Sequence, residues 1–251
     1  MSKPDRHNEI EINFLVKGSL TYLFQDKKIV IPAGRFTVFW GLIPHQIIDF
    51  KELNPYYVCT VPLAEFLDWR LPDNFVERIL QGEVLIEESE HYAKFDEFLY
   101  KNWVLDTTTK TDKSVSLLEI QARLNRFAQG NLAASSNNLS VNSKGISKIE
   151  KMVIYIAQNY NRQIKVSDIG EIVGLHPDYA NSIFKKAFGL TLTAYIIEER
   201  ISHIKRRLIT TNHPITEIAF EGGFSSLGHF NTMFFKINKC TPREFRRRYK
   251  N

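Results

Sequence analysis

The sequence contains little cysteine and no long apolar run. Its 251 residues include two cysteines, Cys59 and Cys240, which are far apart and show neither a zinc-ligand spacing nor a disulfide framework. No segment approaches the roughly 20 apolar residues that span a bilayer, and the polar start MSKPDRHNEIEI is unlike a signal peptide. We therefore expect a protein of the reducing cytoplasm without a membrane partner.

Positive charge is in excess in only one part of the chain. Residues 147–251 contain 17 Lys and Arg against 9 Asp and Glu, whereas the preceding residues contain 16 against 19. A basic excess confined to one region indicates a polyanionic partner for that region alone. With 43% hydrophobic residues, the chain is long enough to form two compact cores.

The basic region contains the same pattern twice. The segment VSDIGEIVGLHPDYANSIFKKAFGLTL is followed by ITEIAFEGGFSSLGHFNTMFFKINKCTP. Gly174 matches Gly223 at an offset of 49 positions, and Asn181 matches Asn231 at an offset of 50 because the second copy carries one extra residue. A repeat that keeps its apolar anchors while its polar positions differ predicts one scaffold that reads two different sequences.

Each copy is predicted to form a helix, a tight turn and a second helix. Ser167 and Thr216 are expected to cap the first helices, Gly174 to end the first of them, and Pro177 to begin the helix that follows. The second helices, over about 177–187 and 226–237, would present outward side chains to base edges. These candidates are Asp178, Asn181, Ser182, Lys185, Leu227, His229, Asn231, Thr232 and Lys236. An ordinary packed helical hairpin is the alternative for a single copy, but two copies disfavour it.

A connecting helix is predicted between the two copies, over TAYIIEERISHIKRRLITTN, because its apolar residues recur at helical spacing. Basic side chains on this helix and beyond the second copy are candidates for phosphate contacts, although many charge runs are only solvated faces. They are Arg200, Lys205, Arg206, Arg207, Arg243, Arg246, Arg247, Arg248 and Lys250.

The residues before the basic region change from strand-like to helical patterns. Residues 9–62 hold short β-branched and aromatic segments between turn signals, which predict a small sandwich or barrel. Residues 73–129 have helical periodicity, including a narrow apolar stripe that fits either intramolecular packing or a dimer seam. The stripe consists of Leu117, Ile120, Leu124 and Phe127. The Asn- and Ser-rich segment 130–146 is predicted to be a flexible linker.

Residues 147–251 resemble the DNA-binding domain of the AraC/XylS family of bacterial transcription regulators. The resemblance is carried by IAFEGGFSSLGHFNTMFFKINKCTPREFR, with Asn238 or Lys239 where a glycine is common. The segments from HNEIEINFLVKG to PAGRFTVFWGLIPHQI are similar to the cupin-like sensor domain of the same family. The resemblance thus implies an α+β protein with a cupin-like β-barrel and a C-terminal all-α domain of two helix-turn-helix motifs joined by a helix.

The domain boundaries expected from this resemblance are a sensor barrel at 1–72, a helical dimerisation segment at 73–129, a linker at 130–146 and a DNA-binding domain at 147–251. The resemblance implies a sequence-specific activator of a sugar-utilisation operon that responds to a melibiose-like or other oligosaccharide. It also implies double-stranded promoter DNA, RNA polymerase and a second copy of the chain as partners. Little sequence precedes the first strand, so an N-terminal arm is expected to be short or missing. A non-specific nucleoid-type binder remains a further alternative.

A sugar site needs an aromatic face and a few polar groups that satisfy hydroxyls. The candidates are Glu11, Tyr22, Arg35, Trp40 and His45. Sequence alone does not fix which of these side chains point inward, because a register error of one residue exchanges the two faces of a strand. Tyr22 and Trp40 are equally compatible with a role as core residues.

A metalloenzyme is a second function to weigh. His7, Glu11 and Gly18 keep part of the spacing of the first cupin metal motif, and His45 corresponds to its later histidine. Asp5 stands where another histidine is usual, so only a three-ligand remnant would be left. Alternatively, Glu11 and His45 only hydrogen-bond across strands. We therefore predict no metal, no cofactor and no enzymatic activity, with a cupin metalloenzyme fused to a DNA-binding domain as the alternative.

Overall fold

The structure is a computed structural model, and it describes residues 5–24, 27–51, 55–109, 114–133, 139–140 and 146–249. The chain divides into an N-terminal unit that ends at Ser147 and a C-terminal unit that begins at Lys148. Strands lie in the first unit, and the second unit is helical. Among the described residues, no helix has both the length and the apolar character needed to cross a membrane.

The N-terminal unit alternates short strands with helices. Its strands are β1 (Glu9–Leu15), β2 (Ser19–Phe24), β3 (Lys27–Pro32), β4 (Thr37–Trp40), β5 (His45–Lys51), β6 (Tyr56–Pro62), β7 (Glu83–Ile86) and β8 (Leu139–Ser140). Its helices are α1 (Leu63–Asp68), α2 (Asp73–Leu80), α3 (Ala93–Thr108) and α4 (Ser114–Ala133).

The described strands form two antiparallel sheets, where a small sandwich or a cupin-like barrel was predicted, and they do not close into one barrel. One sheet has the order β6-β1-β4-β7-β8 and the other has the order β3-β2-β5. The central strands β1 and β2 each pair on both edges within their own sheet, so neither is left to join the two sheets. The chain crosses to the second sheet directly after β1, at Gly18, whose φ of 81° suits glycine.

The core lies between these two sheets, and β1 is buried on both of its faces. The inter-sheet core contains Leu15, Leu20, Tyr22, Phe24, Ile29, Ile31, Phe39, Ile43 and Val84. On the opposite face of β1, the ring of Phe14 stacks on Tyr100 of α3, and the Tyr100 hydroxyl donates to the Ile12 carbonyl over 2.9 Å. The strand therefore connects the inter-sheet space to α3.

The apolar stripe of α4 packs inside the N-terminal unit. Leu124 and Phe127 are at most 1% exposed, Ile120 is 5% exposed and Leu117 is half-buried. Arg123 is fully buried beside them, where its guanidinium pairs with Asp96 of α3 and with Glu87. The stripe is thus an intramolecular packing face, because buried charge pairing and aromatic contacts hold α4 against the unit.

The segment predicted as a linker is partly structured where it is described. Helix α4 extends to Ala133, and Leu139–Ser140 pairs with β7 in the register Val84 to Leu139. Residues 134–138 and 141–145 of that segment lie outside the described residues.

The C-terminal unit is helical, and an apolar core cluster lies in its second half. The helices are α5 (Lys148–Asn159), α6 (Val166–Ile172), α7 (Pro177–Phe188), α8 (Leu192–Thr210), α9 (Ile215–Glu221), α10 (Leu227–Asn238) and α11 (Pro242–Tyr249). The predicted connecting helix is confirmed as α8. We call α6 with α7 the first helix pair and α9 with α10 the second helix pair.

The turns inside both helix pairs follow the sequence prediction, but two of the predicted caps are wrong. Gly174 and Gly223 both take a positive φ, at 61° and 87°. Ser167 does not cap α6, because the helix begins one residue earlier and the Lys165 N–H donates to the Asp168 carboxylate. Thr216 does not cap α9, which begins at Ile215 directly after a proline.

Arg200 of α8 joins the segment between α5 and α6 to the turn of the second helix pair. Its guanidinium donates to the carbonyls of Tyr160 and Arg162, each over 2.7 Å, and it lies 5.8 Å from the ring centroid of Phe224. A Cβ atom on Gly223 would lie only 2.6 Å from the Tyr160 carbonyl oxygen, so this turn requires glycine. Arg200 is 8% exposed, which corrects its assignment as a phosphate contact.

Replacing Arg200 by Ala should lower the free energy of unfolding of the C-terminal unit by about 2–4 kcal/mol, because two buried carbonyls lose their charged donor. Urea unfolding of the full chain, followed by far-UV circular dichroism, measures this loss. Trp40, Trp69 and Trp103 all lie in the N-terminal unit, so tryptophan fluorescence should keep its midpoint. The exposed Arg243→Ala is the matched control, and equal stability of both variants would contradict the assignment.

Candidate nucleic-acid interface and ligand cavity

Helix α7 presents one polar face to solvent. The predicted base-contacting residues Asp178, Ser182 and Lys185 are exposed on it. Tyr179 is 59% exposed on the same helix and was not predicted, because a tyrosine in an apolar repeat is expected in the core. Asn181 is only half-buried and faces the start of α8 instead.

The side chain of Asn181 is held inside the C-terminal unit. Its Oδ1 atom accepts a hydrogen bond of 2.9 Å from the Leu192 N–H, at the first residue of α8. The Thr191 hydroxyl caps the same helix by accepting from the Ala194 N–H over 3.2 Å. These two acceptors satisfy N–H groups that a helix start leaves unpaired. Asn181 therefore stabilises the junction of α7 and α8.

Helix α10 presents a corresponding face that includes His229, Asn231, Thr232 and Lys236, all exposed. Ser226 precedes it as the N-cap and accepts a hydrogen bond from the His229 N–H over 3.3 Å. Leu227 differs from the prediction, because its side chain is half-buried.

Leu227 packs against the core of the second helix pair, which also contains Phe230 and Phe234. Its place is therefore the edge of that core. Phe235 is 53% exposed on the outward side of α10 and was missed for the same reason as Tyr179.

One substitution separates the two repeated asparagines. The position that matches Leu192 in the second copy, 50 residues later, is Pro242. Proline has no N–H group, so Asn231 has no equivalent helix-start donor to accept from. The neighbouring threonine cap is kept, since Thr241 accepts from the Glu244 N–H over 3.2 Å. Asn231 is consequently exposed where Asn181 is not.

The basic side chains divide into structural and exposed groups. Arg246 donates to the carbonyls of Leu208 and His213, and Arg207 pairs with Glu221 at 3.2 Å. Lys205 and Arg206 are half-buried. The exposed arginines are those at the C-terminal end of the chain, Arg243, Arg247 and Arg248. Lys250 lies outside the described residues.

A cavity of about 590 Å³ opens in the N-terminal unit, and it brings together three of the five predicted ligand residues, Glu11, Tyr22 and His45. Its lining comprises Asp5, Arg6, His7, Glu11, Tyr22, His45, Gln46, Ile47, Val58 and Thr60. This volume is within the range of small-molecule sites.

Arg35 and Trp40 are not part of the cavity lining. Trp40 is 0% exposed, and its indole N–H donates to the Asn8 carbonyl over 3.4 Å. Arg35 pairs with Glu90 at 3.5 Å. All residues of β4 are buried, so the alternation that marks inward and outward positions is lost there. Trp40 is therefore a core residue, which corrects its assignment as a ligand contact.

Glu11 is the centre of a polar network in the cavity wall. Its Oε1 atom accepts from the Asn13 amide over 3.0 Å and from the Tyr22 hydroxyl over 3.1 Å. Its Oε2 atom lies 3.1 Å from His7 Nε2 and 3.3 Å from His45 Nε2. Asn13 was not predicted, although it shares the face of Glu11 two residues along β1.

The network also includes Tyr56, whose hydroxyl lies 2.5 Å from that of Tyr22. Burial raises the pKa of both tyrosines, which keeps them neutral. Hydrogen bonds with Glu11 and Glu9 raise the pKa of His7 to about 9. Burial alone would raise the pKa of Glu11, but hydrogen bonds from His45, His7 and Asn13 hold it well below its usual value. The wall of the cavity thus carries a carboxylate.

Comparison with known proteins supports the DNA-binding assignment. Residues 169–248 match a family model described as a helix-turn-helix domain. The chain is 27% identical over 250 residues to the melibiose operon regulatory protein of Escherichia coli K12, covering 96% of this chain and 82% of that protein. It is 33% identical over 101 residues to an uncharacterised HTH-type transcriptional regulator of Pseudoalteromonas carrageenovora, covering 40% of this chain and 60% of that protein.

A solved AraC-type transcriptional regulator from Chromobacterium violaceum is 27% identical and covers 41% of this chain and 91% of its own, with a TM-score of 0.39. The matched helix-turn-helix domain makes double-stranded DNA a partner of the C-terminal unit. The chain is a transcription regulator rather than an enzyme. The chain thus carries a helix-turn-helix domain over residues 169–248, and it is similar to the melibiose operon regulatory protein of Escherichia coli over nearly its whole length.

Proposed function

We propose that the chain is a sequence-specific activator whose two helix pairs act as two helix-turn-helix motifs on one promoter duplex. The observation that carries this proposal is the pair of exposed polar faces on α7 and α10, each following a turn glycine and a capped helix start. A helix that follows such a turn is the element that enters the major groove in this class of motif. RNA polymerase is the proposed partner in activation.

The linking helix suits the spacing that two adjacent half-sites require. Helix α8 has 19 residues, which correspond to about 28 Å at 1.5 Å per residue. Neighbouring major-groove faces on the same side of B-DNA are about 34 Å apart. Arg200 fixes α8 to the segment that precedes α6 and lies beside Phe224, next to the turn of the second helix pair, so we expect little ordering of the two pairs when DNA binds.

The two reading faces differ in their chemistry. The first offers Asp178, Ser182 and Lys185, and the second offers Asn231 and Thr232. Asparagine can form two hydrogen bonds with adenine in the major groove, lysine can donate to guanine, and a carboxylate accepts from cytosine. Because the two faces differ, we expect one chain to recognise a DNA site whose two halves differ in sequence.

We propose that the cavity binds a sugar effector, of which a melibiose-like oligosaccharide is the first candidate. The carboxylate of Glu11 with the polar groups of Gln46 and Thr60 can satisfy hydroxyls, while Ile47 and Val58 offer an apolar wall. The similarity to a melibiose operon regulator supports this choice of probe.

We further propose that the chain acts as a homodimer through the outer face of α3 and α4. The two helices run antiparallel, since Asp96 contacts Arg123 near one end and Asp106 accepts from Ser116 near the other. Their outer sides expose a set of large apolar side chains, which we call the apolar hairpin face. It consists of Phe95, Phe98, Leu105, Val115 and Leu118, between 39% and 64% exposed. Such a patch is typical of a protein interface.

The contrast between the repeated asparagines tests the DNA-reading proposal. We expect Asn231→Ala to weaken binding to the preferred sequence by about 1–3 kcal/mol, because a base-edge contact is lost, and to leave binding to random duplex unchanged. Asn181→Ala should instead lower the melting temperature, because the N-terminus of α8 loses an acceptor. The preferred sequence is first selected from a randomised duplex pool with the full chain, and affinities are measured by fluorescence anisotropy.

The exposed Asn161→Ala serves as the control, since Asn161 lies in the same unit outside α7 and α10. A chain that selects no sequence from the pool would be a non-specific binder and would contradict the proposal. If Asn231→Ala weakened binding to the selected and the random duplex equally, Asn231 would contact phosphate or stabilise the fold and would not read a base.

The sugar proposal predicts that melibiose raises the melting temperature of the full chain, because a ligand that binds only the native state stabilises it. The shift should be lost in Glu11→Gln, which removes the charge from the cavity wall and keeps the size of the side chain. Arg35→Gln, outside the cavity, should keep the shift. A panel of mono- and disaccharides that produces no shift would refute a sugar effector.

The dimer proposal predicts that Leu118→Glu converts the full chain to a monomer in sedimentation velocity, because a charge would be buried in the apolar hairpin face. Val30→Glu is the control, since Val30 is an exposed apolar residue of β3, 55% exposed, and lies outside that face. An unchanged dimer in Leu118→Glu, or a monomeric parent chain, would show that this face does not mediate dimerisation.

A further inference from the structure

We propose that His7, Glu11 and His45 form a binding site for a divalent transition-metal ion of the zinc type, with one coordination position open to the cavity. The three side chains offer two imidazole nitrogens and one carboxylate oxygen, and these atoms lie within 4.8 Å of one another. Two nitrogens and an oxygen are a donor set that Zn²⁺ accepts, with a fourth position free for water or a ligand.

The separations match the edges of a tetrahedral site. Glu11 Oε2 lies 3.1 Å from His7 Nε2 and 3.3 Å from His45 Nε2. With metal–ligand bonds of about 2.0–2.1 Å, two ligands of a tetrahedral ion are about 3.3 Å apart. The third edge, between the ligand nitrogens of the two histidines, is at most 4.8 Å long.

A backbone contact orients His45. Its Nδ1 atom lies 2.8 Å from the Ile43 carbonyl oxygen, which can only accept a hydrogen bond, and its Nε2 atom is directed toward Glu11 Oε2 at 3.3 Å. A histidine whose second nitrogen donates to a backbone carbonyl is the usual arrangement of a metal ligand.

The surrounding residues hold the ligands in place. The other oxygen of Glu11 is occupied by Asn13, 0% exposed, and by Tyr22, 2% exposed, so Oε2 is left to face the two histidines. The His7 ring packs on Gly41, where any Cβ atom would overlap it. Hydrogen-bonded carboxylates and fixed ring orientations are what supporting residues supply in metal sites.

A direct hydrogen-bonded network is the competing explanation. In it, both histidines contact the Glu11 carboxylate and no metal ion binds. The two explanations differ in stoichiometry, because only the first predicts a bound divalent ion. Coordination of a sugar hydroxyl at the open position rests on the proposed function, whereas the ion site itself does not.

Metal titration of the full chain decides between these explanations. After treatment with a chelator and desalting, the chain should bind one Zn²⁺ per polypeptide in isothermal titration calorimetry, and Co²⁺ should give the visible d–d absorption of a four-coordinate site. His7→Gln and His45→Gln should each weaken Zn²⁺ binding at least about tenfold, the scale of losses in metal sites. His91→Gln, at an exposed position in the same unit, should bind like the parent.

His7 is half-buried, so His7→Gln should fold, and unchanged tryptophan fluorescence verifies this. Absence of Zn²⁺ binding, or binding that both ligand variants retain in full, overturns the site. Melibiose melting shifts measured with chelator and with ZnCl₂ separate the two proposals. A sugar shift in a chain that binds no ion refutes only the metal site, and ion binding without any sugar shift refutes only the sugar effector.

Discussion

The buried guanidinium of Arg200 is the contact on which the DNA-reading arrangement depends. It binds two carbonyls between α5 and α6 while lying beside the aromatic ring that follows the turn of the second helix pair. Gln163 reinforces the same junction by donating to the Gly223 carbonyl over 3.1 Å. Burying a charge is unfavourable unless it is fully hydrogen-bonded, so this junction has one satisfied geometry. The relative position of α7 and α10 is thereby a property of the fold.

The repeat shows how a conserved scaffold assigns different tasks to one residue type. Sequence comparison between the copies predicts equal roles for Asn181 and Asn231, because side-chain identity and spacing agree. The difference comes from a third position, where Leu192 supplies an N–H group and Pro242 supplies none. The roles of the two asparagines can be assigned only by asking which group accepts from the first backbone N–H of the helix that follows each of them. This information is present in the sequence, but it is visible only when the next helix is included.

The N-terminal unit was less predictable for a physical reason. Its strands and the group Glu11, Tyr22 and His45 were expected from the sequence, and the structure places those three side chains around one cavity. Trp40 was misassigned because β4 is buried on both faces, so polar and apolar residues do not alternate along it. The choice between sandwich and barrel stayed open because strand pairing is long-range, and local patterns do not specify which strand fills each edge of a sheet. The predicted caps Ser167 and Thr216 each lie two residues after the observed N-caps, Lys165 and Pro214.

Strand β1 is the element that the cavity and the apolar hairpin face have in common. One side of β1 carries Glu11, and the backbone of the next residue, Ile12, accepts a hydrogen bond from Tyr100 of α3. The outer side of α3 carries Phe98, which is 61% exposed. A ligand that binds the Glu11 carboxylate therefore contacts β1, and β1 packs directly against α3, which carries part of the apolar hairpin face. Under the proposed sugar-binding and dimer functions, this connection makes dimer geometry the property that we expect an effector to change.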